Sequence, residues 1–291
     1  MKLVVDPRRF QVPPDTRLRL DRHDPGDIFP YESSKGATAL LEKASRRLFG
    51  LTELLYAQNR WAVLLIFQAM DGAGKDSAVK HVLRGLDPKA TQVTAFGPPS
   101  SGERNHDFMW RCLKVLPERG RIGIFNRSYY EEVLVARVHP EVLAAQHLPK
   151  KRVTKAIWSE RFEDIRSIER YLGRNGVVIR KFFLNVSKRE QRQRFLQRLE
   201  DPTKKWKFSL NDINERLRWK EYMAAYEEAI GATSTKDAPW FVIPADNKWF
   251  TRLAISKIVI DTLESLDLRV PELSHRDHRA LKDARRRLRV K

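Results

Sequence analysis

The stretch Gln68-Ala69-Met70-Asp71-Gly72-Ala73-Gly74-Lys75-Asp76-Ser77 constrains the fold more than any other part of the chain. Ahead of it, Trp61 to Phe67 is an unbroken apolar run, the pattern of a strand buried on both faces. After it, Ser77-Ala78-Val79-Lys80-His81-Val82-Leu83 carries apolar residues at helical spacing. Buried strand, glycine-rich turn, lysine and helix start together form the context of a phosphate-binding loop. Backbone N–H groups and the helix N-terminus offer partial positive charge to phosphate oxygens, and Lys75 adds a full one. Two departures stand out. Ala69 takes the place of the usual first Gly, and Asp76 follows the lysine where a Ser or Thr hydroxyl usually holds magnesium. Asp71 sits inside the loop, where a carboxylate opposes phosphate unless it binds a metal or takes a proton.

The rest of the chain reads as alternating strands and helices around this unit. Residues 1–35 are rich in Pro, Asp and Arg and read as an extended arm. Leu40, Leu41, Ala44, Leu48, Leu51, Leu54 and Leu55 predict a helix from about Ala37 to Gln58. Thr91–Phe96 is a second strand, with Gly97–Gly102 at its carboxyl end, where open α/β sheets bind ligands. A helix is expected from about Glu103 to Leu116, carrying Cys112 as a buried thiol. Arg121–Phe125 is a third strand, ending in Asn126-Arg127-Ser128-Tyr129-Tyr130-Glu131-Glu132. Strand ends of this kind carry magnesium ligands and catalytic groups in phosphate-loop proteins. The planar fork of Arg127 suits two phosphate oxygens, while Tyr129 and Tyr130 read as packing residues.

A long basic helix is expected over 149–174, a fourth strand over Val177–Val186, and a capping box at Ser187-Lys188-Arg189-Glu190. The helix that follows carries Arg194 and Arg198 and breaks at Asp201-Pro202. Lys204, Lys205 and Lys207 then surround Trp206, and a further helix runs from Ser209 to about Ile230. Two arginine-rich helices flanking a Lys-Trp-Lys loop read as a lid that closes on phosphates. Pro239–Pro244 is the fifth strand, Trp249–Leu266 the closing helix, and His275–Lys291 a basic tail. The pattern predicts a three-layer α/β/α sandwich around a parallel sheet of about five strands. The expected divisions are an arm over 1–35, a catalytic domain over 36–270 with the lid inside 150–230, and a tail over 271–291.

Composition narrows the partners. A formal net charge of +19 attracts polyanions: nucleic acid, an anionic membrane or a phosphate polymer. No apolar run is long enough to span a bilayer, and one cysteine fits a reducing cytoplasm without a disulfide framework. No His, Cys, Asp or Glu spacing suggests structural zinc.

Four segments resemble the polyphosphate kinase 2 family: Gln68–Asp76, Phe125–Leu134, Asp201–Phe208 and Ala238-Pro239-Trp240. The resemblance extends over residues 20–268. It implies a magnesium-dependent enzyme, with manganese as a substitute ion, that moves the terminal phosphate of inorganic polyphosphate onto AMP or ADP, or runs the reverse with ATP. In that family Asp71 would bind magnesium or orient the accepting phosphate, and Lys75 would hold the transferring one. Arg127 would neutralise charge at the transfer point, with Asn126 beside it. Gly72, Ala73, Gly74, Asp76, Ser77 and Glu131 complete the expected phosphate and nucleotide contacts, together with the lid cations Arg194, Arg198, Lys204 and Lys207. Asn-Arg-Ser at 126–128 resembles members that accept AMP, or both AMP and ADP. The resemblance also suggests a homo-oligomer.

Two other readings stay open on the residues alone. An ATP-dependent nucleotide or small-molecule kinase explains the loop and lid but leaves the net charge unused. A nucleic-acid-binding P-loop protein would use the basic tail and the Lys-Trp-Lys loop for backbone contacts and base stacking.

Overall fold

The computed structural model of the chain describes residues 4–289. Its centre is a five-stranded parallel sheet of order β2-β3-β1-β4-β5. The strands are β1 (Ala62–Gln68), β2 (Thr91–Ala95), β3 (Ile122–Asn126), β4 (Val177–Asn185) and β5 (Trp240–Pro244). The middle strand, β1, is buried along its whole length, which is why its sequence is apolar without alternation. Edge strand β2 carries Thr and Gln and is partly exposed. The other edge is covered by the N-terminal segment: Val12 N–H donates to Trp240 O at 2.9 Å and Val242 N–H to Phe10 O at 2.8 Å. Capping an edge in this way removes an exposed pairing surface.

Helices cover both faces. On one side lie α1 (Ala37–Gln58), α2 (Lys75–Leu83) and the long α10 (Lys248–Glu264). The other side begins with a single turn, α3 (Trp110–Leu113). It continues through α4 (Glu131–Val138), α5 (Pro140–Ala144) and α6 (Ile157–Arg174). Next come α7 (Lys188–Glu200), α8 (Leu210–Leu217) and α9 (Trp219–Thr233). The tail forms α11 (His275–Arg289), which buries none of its residues. Among the described residues no helix is long and apolar enough to cross a membrane.

Three expected helices differ. Over 103–116 only a turn of 3-10 helix and the one-turn α3 form. The carboxylate of Asp107 accepts from Met109 N–H at 2.9 Å, an Asx turn that competes with helical pairing. The basic helix begins at Ile157 rather than 149, after a turn in which Thr154 Oγ1 accepts from Ala156 N–H. The helix expected from Ser209 to Ile230 breaks at Arg218, whose guanidinium reaches across to Val138 O. Of the expected capping box only half forms: Ser187 Oγ accepts from Glu190 N–H at 3.0 Å, while the Glu190 carboxylate pairs with Arg194 instead. Helices α4 and α5 have no counterpart in the sequence reading.

Beneath α6 and α9 the core holds a buried ion pair. Lys181 of β4 places its Nζ 2.5 Å from Glu169 Oε2 and donates to Thr233 O at 2.7 Å. Tyr129 and Tyr130 donate their hydroxyls to Glu169 Oε1, each at 2.9 Å. Both tyrosines are packing residues, fully enclosed, and burial beside Glu169 raises their pKa values. Removing one partner of such a pair strands the other charge. Lys181→Met is therefore expected to cost about 3 kcal/mol or more, read as a lower urea midpoint, and Glu169→Gln in that background should restore part of it.

Candidate active site

The chain leaves β1 at Gln68 and turns through Gly72 and Gly74, whose φ angles are 78° and 96°. Only glycine adopts these freely. At Gly72 there is also no room, because an added Cβ would lie 2.8 Å from the Phe195 ring of α7. Lys75 opens α2 with no side-chain cap on the helix, so its first N–H groups are open to an anion. The Lys75 side chain is buried, and its Nζ donates to Ala69 O at 3.2 Å. Burial lowers its pKa, helped by the field of Arg127.

Across the loop, the end of β3 presents Asn126 and Arg127. Asn126 Nδ2 donates to Asp76 Oδ1 at 2.8 Å, and Arg127 Nη2 to Asp71 Oδ1 at 3.0 Å. Arg127 has φ 65°, a left-handed conformation that costs a non-glycine residue roughly 1 kcal/mol. Its N–H is held by Phe67 O at 3.0 Å, so the strand end enforces the turn. Burial disfavours the Arg127 charge, but Glu131 and Asp71 outweigh it and raise its pKa. Glu131 is itself fixed by Gln68 Nε2 at 2.8 Å.

From the lid side, α7 grips the loop. Gln191 Nε2 donates to Asp71 O at 2.7 Å. Arg194 donates to Gly72 O, Ala73 O, Ala245 O and Asp246 O, and its Nε pairs with Glu190 at 2.8 Å. Placed among the phosphate contacts by the sequence reading, Arg194 thus directs its donors at backbone carbonyls and works as a clamp on the loop. Arg198 pairs with Asp212 of α8 at 3.1 Å, and Lys204 with Asp201. Bonds from Lys204 and Thr203 hold the Asp201 carboxyl down at about 2. Ser77 Oγ accepts from Arg252 Nη2 at 2.8 Å. The Lys207 side chain lies outside the described residues, as do residues 1–3 of the arm and 290–291 of the tail.

Two cavities meet here. The first, of about 730 Å³, runs over the loop backbone and is lined by Lys75, Arg127, Arg194, Arg198, Lys204 and Lys248. The second, of about 500 Å³, lies between the Pro98-Pro99 loop, α4, α5 and α9. Its wall mixes Val135, Val142, Tyr222 and Tyr226 with Arg104, Arg111, Glu131 and Glu132. Met70, Asp71, Gly97 and Arg127 belong to both. Sequence reasoning missed Gln191 and Lys248, along with the Arg104, Arg111, His139, Glu215 and Tyr222 side of the second cavity. Only Lys248 had a usable signal, because it follows the end of β5.

Among the described residues no group of three or more His, Cys, Asp or Glu side chains could hold a metal by themselves. The oxygens present still fit a hard cation. Asn126 Oδ1 is buried without a hydrogen-bond partner, Asp76 is bonded to the same side chain, and Asp71 lines the same cleft. Magnesium is commonly held by one or two carboxylates plus substrate phosphates, which matches so sparse a set.

A phosphate loop between β1 and α2 of a 2-3-1-4-5 parallel sheet defines a P-loop kinase-like α/β protein. The polyphosphate kinase 2 (PPK2) family model matches residues 31–271, and the chain belongs to that family. It is 46% identical over 288 residues to an ADP-polyphosphate phosphotransferase of Rhodopseudomonas palustris, covering 98% of this chain and 99% of that one. An AMP/ADP-polyphosphate phosphotransferase of Meiothermus ruber is 42% identical, with 91% and 96% covered. The crystal structure of polyphosphate kinase 2 from Arthrobacter aurescens TC1 superposes with a TM-score of 0.88 at 37% identity, covering 98% of this chain and 99% of that one. Kinase-type phosphotransferases of this family generally need a divalent metal.

Proposed function

We propose that the protein transfers the terminal phosphoryl group of inorganic polyphosphate to an adenine nucleotide, AMP or ADP, with magnesium as the divalent ion. The observation that carries this is the meeting of two unlike cavities at Asp71 and Arg127. The first, open and cation-lined, suits a polymer of phosphates. The second, part aromatic and part charged, suits a nucleoside whose phosphate points at Arg127.

In this arrangement the loop N–H groups and Lys75 hold the terminal phosphoryl of the polymer. An oxygen of the nucleotide phosphate attacks that phosphorus in line. The bridging P–O bond to the polymer breaks, and the shortened chain leaves with the electron pair on its new terminal oxygen. Lys75 and Arg127 offset the charge on the equatorial oxygens, so no covalent protein intermediate is needed. A magnesium ion held by Asp71 and Asn126 Oδ1 would add charge neutralisation there. Residues 150–230 contain the lid in this reading, with α7 and the 201–209 loop closing over the first cavity. We place the protein in the cytoplasm as a homo-oligomer, which light scattering would test.

The direct test supplies purified protein with magnesium, long-chain polyphosphate and either AMP or ADP, without ATP, and resolves the nucleotides by chromatography. ATP from ADP, or ADP and then ATP from AMP, is the expected result. Product only when ATP is supplied as donor would replace this reading with that of an ordinary kinase. Lys204→Ala is expected to raise KM for polyphosphate about tenfold or less and to flatten its salt dependence, seen in initial rates at two ionic strengths. An unchanged salt slope would remove Lys204 from the polymer path.

A further inference from the structure

Behind α2 lies a pocket of about 490 Å³ between α1, α2 and α10. Arg46 comes from α1, His81 and Arg84 from α2, and Arg252 from α10, with Glu42 the single carboxylate on its wall. The end of α2 comes close enough to the middle of α1 to form it because Gly85 has no side chain; an added Cβ would lie 2.9 Å from Ser45 Cα. Among the described residues Arg46, Arg84 and Arg252 form no ion pair, whereas the adjacent Arg47 pairs with Glu264 at 2.8 Å.

Two buried nitrogens in the pocket also lack partners: His81 Nε2 and Arg252 Nε. A buried guanidinium N–H without an acceptor is costly, and native proteins rarely leave one so. The His81 pKa is pushed down to about 4, first by burial and then by the fields of Arg252 and Arg84. Against the one carboxylate of Glu42, three arginines without ion pairs and the orphaned Arg252 Nε favour an anion with several acceptor oxygens.

We propose that this pocket is a second phosphate-binding site, one that takes orthophosphate or a short stretch of condensed phosphate. It is separate from the catalytic cleft. A void between them, walled in part by Ser77, Lys248 and Arg252, measures about 10 Å³ and cannot pass a phosphate. Arg252 stands at the partition, lining the pocket while donating Nη2 to Ser77 Oγ. Guanidinium groups from α1, the end of α2 and α10 line this one pocket, and planar forks of this kind suit tetrahedral oxyanions. The site does not depend on what the catalytic cleft transfers.

The His81 imidazole reports on it. Its NMR resonance, assigned by its loss in His81→Gln, is followed at neutral pH while orthophosphate or tripolyphosphate is added at constant ionic strength with chloride. The expected result is a saturable shift in the native chain and in Lys75→Met, weakened about tenfold or more in Arg46→Ala/Arg84→Ala. Circular dichroism of that double variant, altered only at exposed positions, checks that it is folded. A shift with orthophosphate identifies the free ion as ligand, and a shift with tripolyphosphate alone identifies the condensed form. No shift with either, or the same affinity in the double variant, overturns the proposal. A His81 shift in a protein that forms no nucleotide product from polyphosphate would leave this site standing and remove the proposed function.

Discussion

Lys75→Met is expected to lower kcat/KM for polyphosphate-dependent transfer about a thousandfold or more, while leaving the folded chain as stable as before or more so. Nζ is buried with a single carbonyl partner, Ala69 O, and no carboxylate bonded to it. Its charge is thus available to an incoming phosphate, and the folded chain bears the cost of burying it. That cost has a definite pH signature. Burial, and then Arg127, put the folded-state pKa below the ordinary 10.5, so the folded chain binds fewer protons than the unfolded one between those two values. Native stability therefore rises with pH across that window. The stability advantage of Lys75→Met is full below the folded-state pKa and fades as pH climbs toward 10.5. Urea unfolding of both chains at neutral and alkaline pH measures it, alongside initial rates. Near-normal turnover by the variant would take the transferring phosphate away from Lys75.

What was legible in the sequence is what backbone topology dictates locally. The buried strand, the glycine loop and the polar ends of β3 and β5 all announce themselves in short stretches, because a parallel sheet delivers its functional groups at strand ends. The pairings that decide what those groups do are not local. Arg194 lies on an arginine-rich helix face, and nothing in that face says it will turn toward four loop carbonyls. The second cavity is built from α4, α5, α8 and α9, where His139 meets Glu215 of α8 at 2.8 Å across 76 residues of chain. No periodicity records such an encounter. The helices that failed to form as expected, over 103–116 and at Arg218, were undone by single side chains, Asp107 and Arg218, bonding to backbone groups. Propensity and pattern cannot weigh one such bond against a helical turn. The basic pocket behind α2 escaped for the same reason: its arginines sit one apiece on three elements and read as solvated charge.

Asp71 is the residue on which the two cavities turn, and Asp71→Asn is expected to reduce kcat about a thousandfold with little change in fold. The backbone at this position is fixed independently of the carboxylate, since Gln191 Nε2 holds Asp71 O at 2.7 Å. Asparagine fills the same volume and can still accept from Arg127 Nη2 through its amide oxygen. What it loses is negative charge, and that separates two roles. If the carboxylate chiefly oriented Arg127, the variant would keep the native magnesium requirement and respond weakly to added metal. If it holds the metal, half-maximal activity should need severalfold more magnesium, with part of the lost rate recovered at high concentration, because a neutral amide oxygen is a poorer ligand for a hard cation. Asp76→Asn offers the comparison: that carboxylate already accepts from Asn126 Nδ2 at 2.8 Å, and its loss should cost less than that of Asp71. A magnesium titration of the three chains at saturating polyphosphate and nucleotide decides the matter. An Asp71→Asn enzyme with native turnover at ordinary magnesium would mean that the acid inside the loop belongs to the architecture and that the metal, with its charge neutralisation, is held elsewhere.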